Sequence, residues 1–484
     1  MCYPQKIMQH HLAQTPHLLT DDEQTIVALC TPRGSGALAL IRLSGCDAFE
    51  VADRLARLSS GQKISHVASH TIHHGFVIDH AETSSSLVDE VLFLVMHGPK
   101  TFTGQHTVEI SCHNNPFVID RIIAVALQAG ARSARPGEFS KRAFLNNKID
   151  LVQAEAINEL IHAPTEMAVK QSMAMVRGSL SERVGEIEQE LAALVGHVEA
   201  SFEFLEEEQR DVALYQDISS RLFAVHKKIG DLRSLFSSQK LVKEGVRIVL
   251  SGSVNAGKST LFNALLQQER AIVADLAGTT RDSIESGLYH NGYFWSLVDT
   301  AGLRETADII EQKSIERSLL EAASADVIVL VVDVTRSYNE CEMVYYRNLC
   351  SLYSDKIIVA INKIDALQSD IPHNSWWSEL SDRVYVSGYE RRGIDTLKAA
   401  IEKKVAELFA HMNSPFLLNQ RQFNLLTEIE QGLEFIAKSW SPTIDYEVVA
   451  YQLKQLLEKI SELTGRNVTE RVLDTIFDTF CVGK

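Results

Sequence analysis

Residues 252–259 read Gly-Ser-Val-Asn-Ala-Gly-Lys-Ser directly after the apolar run Val246–Leu250, and a strand feeding such a loop commits the segment to a parallel α/β sheet with helical crossovers. The physical demand comes from phosphate. Gly252 and Gly257 leave backbone N–H groups free to cradle phosphate oxygens, Lys258 reaches the terminal phosphates, and the Ser259 hydroxyl suits Mg²⁺. Alone, this loop predicts a nucleotide and no particular base. Further along, Asn362-Lys363-Ile364-Asp365 follows another apolar run. The Asp365 carboxylate is able to accept from both the ring N–H and the exocyclic amine of guanine, a pattern adenine does not present. Together the two motifs predict a guanine-nucleotide domain.

Two further motifs stand between them in the order a nucleotide switch requires. Gly278-Thr279-Thr280-Arg281-Asp282 offers a Thr hydroxyl for Mg²⁺ beside the terminal phosphate. Asp299-Thr300-Ala301-Gly302 closes an apolar strand, so that Asp299 faces the Mg²⁺ water shell and the Gly302 amide faces the phosphate. Ser387-Gly388 follows the last strand, where a backbone contact to the guanine oxygen belongs. One residue breaks the usual pattern. A Gln that orients the attacking water commonly follows the Asp-x-x-Gly glycine; here that residue is Leu303. Another group must position water, and Arg304, Glu305 and Glu311 are within the segment that responds to the phosphate. Asn255 offers a side-chain oxygen where a monovalent cation would bridge the phosphates in place of an arginine finger.

The chain is 484 residues long, more than one core usually supports, so two or three domains are expected. Residues 25–149 alternate short β-branched segments (Thr25–Leu29, Ala37–Leu43, Val91–Val95, Thr107–Ser111) with turns and a helix near Ile119–Ala129, the texture of an α+β domain. Beyond Asp150, apolar residues at Leu180, Val184, Ile187, Leu191, Leu194 and Val198 recur at helical spacing. A second series from Ile218 to Leu235 follows the acidic stretch Glu203–Asp211, read as a solvated connection. After strands predicted at Val246–Leu250, Phe294–Asp299, Val327–Asp333, Ile357–Asn362 and Val384–Ser387, helical spacing returns from Leu426 to Ile460 and closes at Thr464-Gly465. The expected architecture is multidomain α/β. It comprises an α+β domain at 1–145, the first part of a helical domain at 146–243, an inserted P-loop domain at 244–411, and the second helical part at 412–484.

With 47 Lys+Arg against 63 Asp+Glu, the net charge of −16 argues against a broad basic surface for nucleic acid. A local cluster remains in Arg132, Arg135, Lys141, Arg142 and Lys148. Seven cysteines without a C-x-x-C pair point to a reducing compartment, and with no apolar run long enough for a bilayer the expectation is a cytoplasmic protein without a membrane partner. Cys112-His113 is a poor metal pair, being adjacent, and His73-His74 reads as strand.

These motifs, together with Phe102-Thr103-Gly104, Ala134-Arg135-Pro136-Gly137-Glu138-Phe139, Phe144-Leu145-Asn146 and the closing Cys481-Val482-Gly483-Lys484, resemble the MnmE (TrmE) family of tRNA modification GTPases along nearly the whole chain. The resemblance implies an N-terminal domain that binds a tetrahydrofolate derivative (a 5-formyl or 5,10-methylene form) and forms a homodimer. It implies a Ras-like GTPase domain inserted in a helical domain. It also implies an FAD-dependent MnmG-type partner, joined in a heterotetramer, with which an aminomethyl or carboxymethylaminomethyl group is added to C5 of the wobble uridine of certain tRNAs.

Carried over by motif, GTP contacts are expected at Asn255, Ala256, Gly257, Lys258, Ser259 and Thr260; at Ala274, Gly278, Thr279 and Thr280; at Asp299, Thr300, Ala301 and Gly302; and at Asn362, Lys363, Asp365, Ser387 and Gly388. Mg²⁺ falls to Ser259 and Thr280, K⁺ to Asn255, Ala274, Leu276 and Thr279, and water activation to Glu311. Arg42, Glu109, Lys148 and Lys484 match folate positions, and Cys481 matches the cysteine needed for modification. The chain departs from the family at Ser253-Val254, Gly388, Cys112-His113-Asn114-Asn115 and Arg33-Gly34-Ser35-Gly36. The competing expectation is a ribosome-assembly or RNA-binding switch GTPase, in which the basic cluster meets RNA.

Overall fold

The computed structural model describes residues 24–80, 86–203, 212–236, 241–242, 245–266, 284–299, 321–367, 376–377, 382–410, 416–441 and 446–484. Two compact units are present, one of Met1–Asn158 with Ser461–Lys484 and one of Glu159–Ile460.

In the first unit, β1 (Ile26–Leu29), β2 (Leu38–Ser44), α1 (Ala48–Leu55), β3 (Ala56–Leu58), β4 (Thr71–Asp79), β5 (Ser86–Met96), β6 (Thr107–His113), α2 (Pro116–Gln128), β7 (Arg132–Ser133), α3 (Glu138–Leu145) and α4 (Leu151–Ile161) follow in order. The strands form one sheet ordered β3-β4-β5-β6-β2-β1-β7. Strand period sets its two faces. Ala39, Ile41 and Leu43 of β2 and Val108, Ile110 and Cys112 of β6 point into a core with Phe93, Ile119 and Ile122. Each buried Val, Leu, Ile or Phe side chain among them contributes roughly 1.5–3 kcal/mol. The residues that alternate with them, Arg42 and Glu109, therefore meet on the opposite face, directly paired in the β2–β6 register. Helix α2 starts where the sequence tells it to: the Asn115 side chain accepts from the Phe117 amide and Pro116 sits in the first turn.

The second unit contains α5 (Glu166–Val176), α6 (Ser179–Glu203), α7 (Val212–Ser234), β8 (Val246–Ser251), α8 (Lys258–Leu266), β9 (Ile284–His290), β10 (Tyr293–Asp299), β11 (Val327–Asp333), α9 (Glu340–Leu352), β12 (Ile357–Asn362), β13 (Arg383–Tyr385), α10 (Ile394–Phe409), α11 (Gln420–Ser439) and α12 (Tyr446–Thr464). Its sheet runs β13-β12-β11-β8-β10-β9, parallel except for the antiparallel β9 edge. β11 and β12 are buried at every position, as a sheet covered on both faces requires. β8, β10, β11 and β12 deliver Ser251, Asp299, Asp333 and Asn362 to the same edge, the carboxyl ends where ligands of such sheets bind.

The helical series before and after this sheet pack together. α7 lies against both α6 and α11, with Ile218, Leu222, Val225 and Ile229 buried beside Leu426, Ile429 and Leu433. Phe236 stacks on Phe423 at 4.1 Å, Tyr215 on Trp440 at 5.3 Å, and Arg233 pairs with Glu430.

The chain then returns to the first unit through α13 (Glu470–Phe477). Leu473, Phe477 and Phe480 pack on Leu151 and Ala154 of α4, and Lys141 of α3 holds Asp474 at 2.8 Å. The last residues close on the N-terminal strands. The Cys30 thiol donates to the Gly483 carbonyl at 3.2 Å, and the Gly137 amide donates to the Cys481 carbonyl at 3.3 Å. Gly483 has a φ of 96°, and an added Cβ there would collide with the Leu29 carbonyl and lie 2.9 Å from the Cys30 Cα. Only glycine satisfies both constraints.

Candidate functional site

The nucleotide motifs assemble around one residue. Asn362 closes β12 fully buried, donates from Nδ2 to the Ala256 carbonyl at 2.9 Å, and accepts the Gly388 amide on Oδ1 at 3.0 Å. One side chain thereby ties the phosphate loop to both base motifs. Its fit requires Gly257, whose φ is 91° and whose missing Cβ would occupy the Asn362 amide nitrogen. Asp365 and Ser387 are joined by a short hydrogen bond, and the Glu390 amide donates to Ser387 Oγ at 3.0 Å, which fixes the loop behind the carboxylate.

On the phosphate side, the Lys258 ammonium donates to the Gly252 and Ser253 carbonyls, each at 2.8 Å. Burial pulls its pKa below the usual lysine value, while the Asp299 carboxylate pulls the other way. A bound polyphosphate supplies the counter-charge that this half-satisfied cation lacks. Ser259 is the second residue of α8, and its hydroxyl donates to Asp299 Oδ2 at 2.6 Å. Two oxygen donors, one anionic, converge at a helix N-terminus, a donor set that fits a hard divalent cation. Asn255 adopts a φ of 63° and is exposed on the loop, while Thr260 is exposed in the first turn of α8. Ala274, Leu276, Gly278, Thr279, Thr280, Thr300, Ala301, Gly302 and Glu311 lie outside the described residues.

The first unit carries a second cluster. Arg42 Nε donates to Glu109 Oε1 at 2.7 Å, both side chains being mostly buried, and the guanidinium lies 5.4 Å from the Phe139 ring centre and 5.9 Å from that of Phe102. Lys484 is half-buried nearby: burial and the Arg42 charge lower its pKa, opposed by Cys481 and Cys30. Cys481 itself is exposed. Lys148 is exposed and donates to the Pro99 carbonyl at 2.9 Å. A carboxylate, the two cations Arg42 and Lys484, and two aromatic faces suit a planar, anionic ligand. Cys30, Phe102 and Phe139 were not singled out from sequence as site residues; Phe102 and Phe139 sit inside the quoted motifs, whereas nothing local marks Cys30.

Three cations of the basic cluster expected from sequence, Arg132, Lys141 and Arg142, are committed to partners within the fold, whereas Arg135 and Lys148 are exposed. Arg142 is 1% exposed and donates to the Ser44 carbonyl, Gln105 Oε1 and Glu138 Oε1. Arg132 pairs with Glu138 at 2.5 Å, and Lys141 with Asp474. Burial pushes the Glu138 carboxyl up, but Arg132, the Arg135 amide and Arg142 outweigh it and hold the pKa below the usual value. Cys112 points into the core while His113 is exposed and hydrogen-bonded to Asp89, so the pair does not converge on a metal. No His/Cys/Asp/Glu cluster of metal-binding arrangement occurs among the described residues. No helix among them is long and apolar enough to cross a membrane.

Residues 151–481 match the family model described as the MnmE helical domain, and residues 25–148 match that of the GTP-binding protein TrmE N-terminus. The tRNA modification GTPase MnmE of Chlorobaculum tepidum is 36% identical over 95% of this chain and 97% of its own length. Those of Geobacillus thermodenitrificans and Bacillus subtilis are 37% and 35% identical, over 99% and 100% of their lengths. With two family models spanning its first unit and its helical series, and relatives matched from end to end, the chain belongs to the MnmE (TrmE) family.

Proposed function

We propose that this protein is a GTP-hydrolysing enzyme of tRNA modification. The observation that carries the reading is Asn362, which joins the Ala256 carbonyl of the phosphate loop to the Gly388 amide of the base loop and so builds one guanine-nucleotide pocket from distant segments. Asp365 selects the base, Lys258 and the loop amides hold phosphates, and Ser259 with Asp299 would hold Mg²⁺, which supplies charge neutralisation at the phosphates. Thr280 completes that Mg²⁺ set. Asn255, with Ala274, Leu276 and Thr279, would hold K⁺ in place of an arginine finger, and Glu311 orients the attacking water that Leu303 cannot.

In the same reading, Arg42, Glu109, Lys148 and Lys484 bind a tetrahydrofolate one-carbon donor, beside which Cys481 acts in the modification. The Arg42–Glu109 pair between two aromatic rings supports this assignment. The four-part domain division, the homodimer, an FAD-dependent MnmG-type partner, C5 of the wobble uridine as target and a cytoplasmic location complete the proposal. A ribosomal-RNA switch is less well supported, because Arg132, Lys141 and Arg142, which it needs on the surface, are committed to Glu138, Asp474 and Gln105. The test is GTP turnover by the purified chain in K⁺ and in Na⁺, with ATP as control. Guanine-specific turnover that is faster in K⁺ supports the reading; equal turnover of ATP, or equal rates in the two salts, contradicts it.

A further inference from the structure

One buried carboxylate beside the nucleotide site is not a member of its motifs. Asp333 ends β11 at 4% exposure, next to Asn362 in the parallel register. Its Oδ1 accepts from the Thr335 amide at 2.9 Å and the Thr335 hydroxyl at 2.6 Å, while Oδ2 accepts from the Lys363 ammonium at 2.7 Å. The backbone of Asp333 is held as well: its amide donates to the Tyr338 hydroxyl at 2.7 Å, and that hydroxyl donates to its carbonyl at 3.0 Å. The carboxylate is thus locked from one side and has its remaining lone pairs turned to a single cation.

Lys363 is the second residue of Asn-Lys-Ile-Asp and stands at a φ of 67°, a left-handed conformation that a lysine adopts at a cost of order 1–3 kcal/mol. A compensating contact is therefore required. From that backbone the side chain runs past Gly257, with Cε 3.9 Å from the point a Cβ of Gly257 would occupy, and ends on Asp333. The end of its stem therefore lies against the phosphate loop.

We propose that Asp333 is a positioning residue for guanine binding: by anchoring the Lys363 ammonium it stretches the lysine stem across Gly257 as one wall of the base pocket. This rests on the guanine-nucleotide reading of the pocket. Burial alone would push the Asp333 carboxyl up, yet Lys363 and Thr335 outweigh it and hold the group ionised at neutral pH, as an anchor must be. In this reading Asp333 acts through Lys363, whose ammonium it holds.

The test is dissociation of a fluorescent GDP analogue from the full chain. Asp333→Asn keeps an oxygen for Thr335 and removes the charge that holds Lys363; it is expected to speed dissociation about tenfold, the size typical of coupled neighbouring groups. Lys363→Met keeps the apolar stem and removes the ammonium without touching the buried carboxylate, and is expected to do the same. In the double variant, dissociation should be no faster than in Lys363→Met alone, an equality that a general loss of structure would not give. Wild-type rates in either single variant, or effects that multiply in the double variant, would overturn the proposal. Failure of the wild-type chain to retain the analogue would instead overturn the nucleotide-site reading beneath it.

Discussion

The Ser259 hydroxyl donates to Asp299 Oδ2 at 2.6 Å, which couples the first turn of one helix to the end of the neighbouring strand at the point where Mg²⁺ is proposed to enter. Two oxygens already this close need little movement to share a cation. Ser259→Ala is therefore expected to bind GDP about equally with and without Mg²⁺, and to lose GTP turnover by ~10²-fold or more. Titration of a fluorescent GDP analogue in Mg²⁺ and in EDTA checks this; an unchanged Mg²⁺ effect would sink the assignment.

Asn362→Ala leaves the buried Ala256 carbonyl and Gly388 amide without their shared partner. The expected cost is about 1–3 kcal/mol for the unpaired groups, read as a lower urea midpoint for the second unit. GDP affinity should fall by at least about tenfold in the same variant, because the phosphate and base loops are no longer held together. Loss of stability with wild-type affinity would argue that Asn362 is merely structural.

The cysteines should separate by reactivity. Burial pushes the thiols of Cys112 and Cys350 up to about 11 and that of Cys30 above its ordinary value, whereas Cys481 is exposed. A raised pKa means less thiolate at a given pH, so at pH 8 iodoacetamide should label Cys481 well ahead of Cys30, Cys112 and Cys350, with the latter group gaining rate as pH rises. Peptide mass spectrometry of the native protein reads the order. Early labelling of Cys30 would show that the closing tail does not cover it.

Gly483→Ala should lift the tail, since its φ of 96° and the Leu29 carbonyl both reject a Cβ. Binding of a reduced folate, followed by calorimetry, is expected to weaken by about tenfold or more through displaced Lys484, while GDP binding by the other unit stays at the wild-type level. Equal folate affinity in the variant would separate the tail from that site.

Much of this was legible along the chain because it is local. Val327–Asp333 and Ile357–Asn362 are strands with the expected bounds, as continuous β-branched runs in a covered sheet should be. The helical spacing of Leu180–Val198 likewise became one buried stripe of α6. Where the reading fell short, tertiary pairing decides. Strand β13 stops at Tyr385, and Ser387 forms an isolated bridge to Arg392, because its amide donates to the Arg392 carbonyl at 2.9 Å instead of continuing the ladder with β12. Strand β9 was not foreseen: Ser286-Gly287 interrupts its alternation, and pairing with β10 sets it, Gly287 making room for the Phe294 ring. The cations of 132–142 looked like a surface patch, yet Glu138 and Gln105 draw Arg132 and Arg142 inward. Cys30 and Gly483, 453 residues apart, meet through a contact that no periodicity encodes.

The most direct test of the central claim is nucleoside analysis of tRNA from a bacterial strain lacking its own MnmE relative, complemented with this chain or with its Lys258→Ala or Cys481→Ser variant. Restoration of the C5-modified wobble uridine by the wild-type chain, with the unmodified nucleoside persisting for both variants, is the predicted result. Wobble uridine that stays unmodified with a well-expressed wild-type chain that hydrolyses GTP would contradict it.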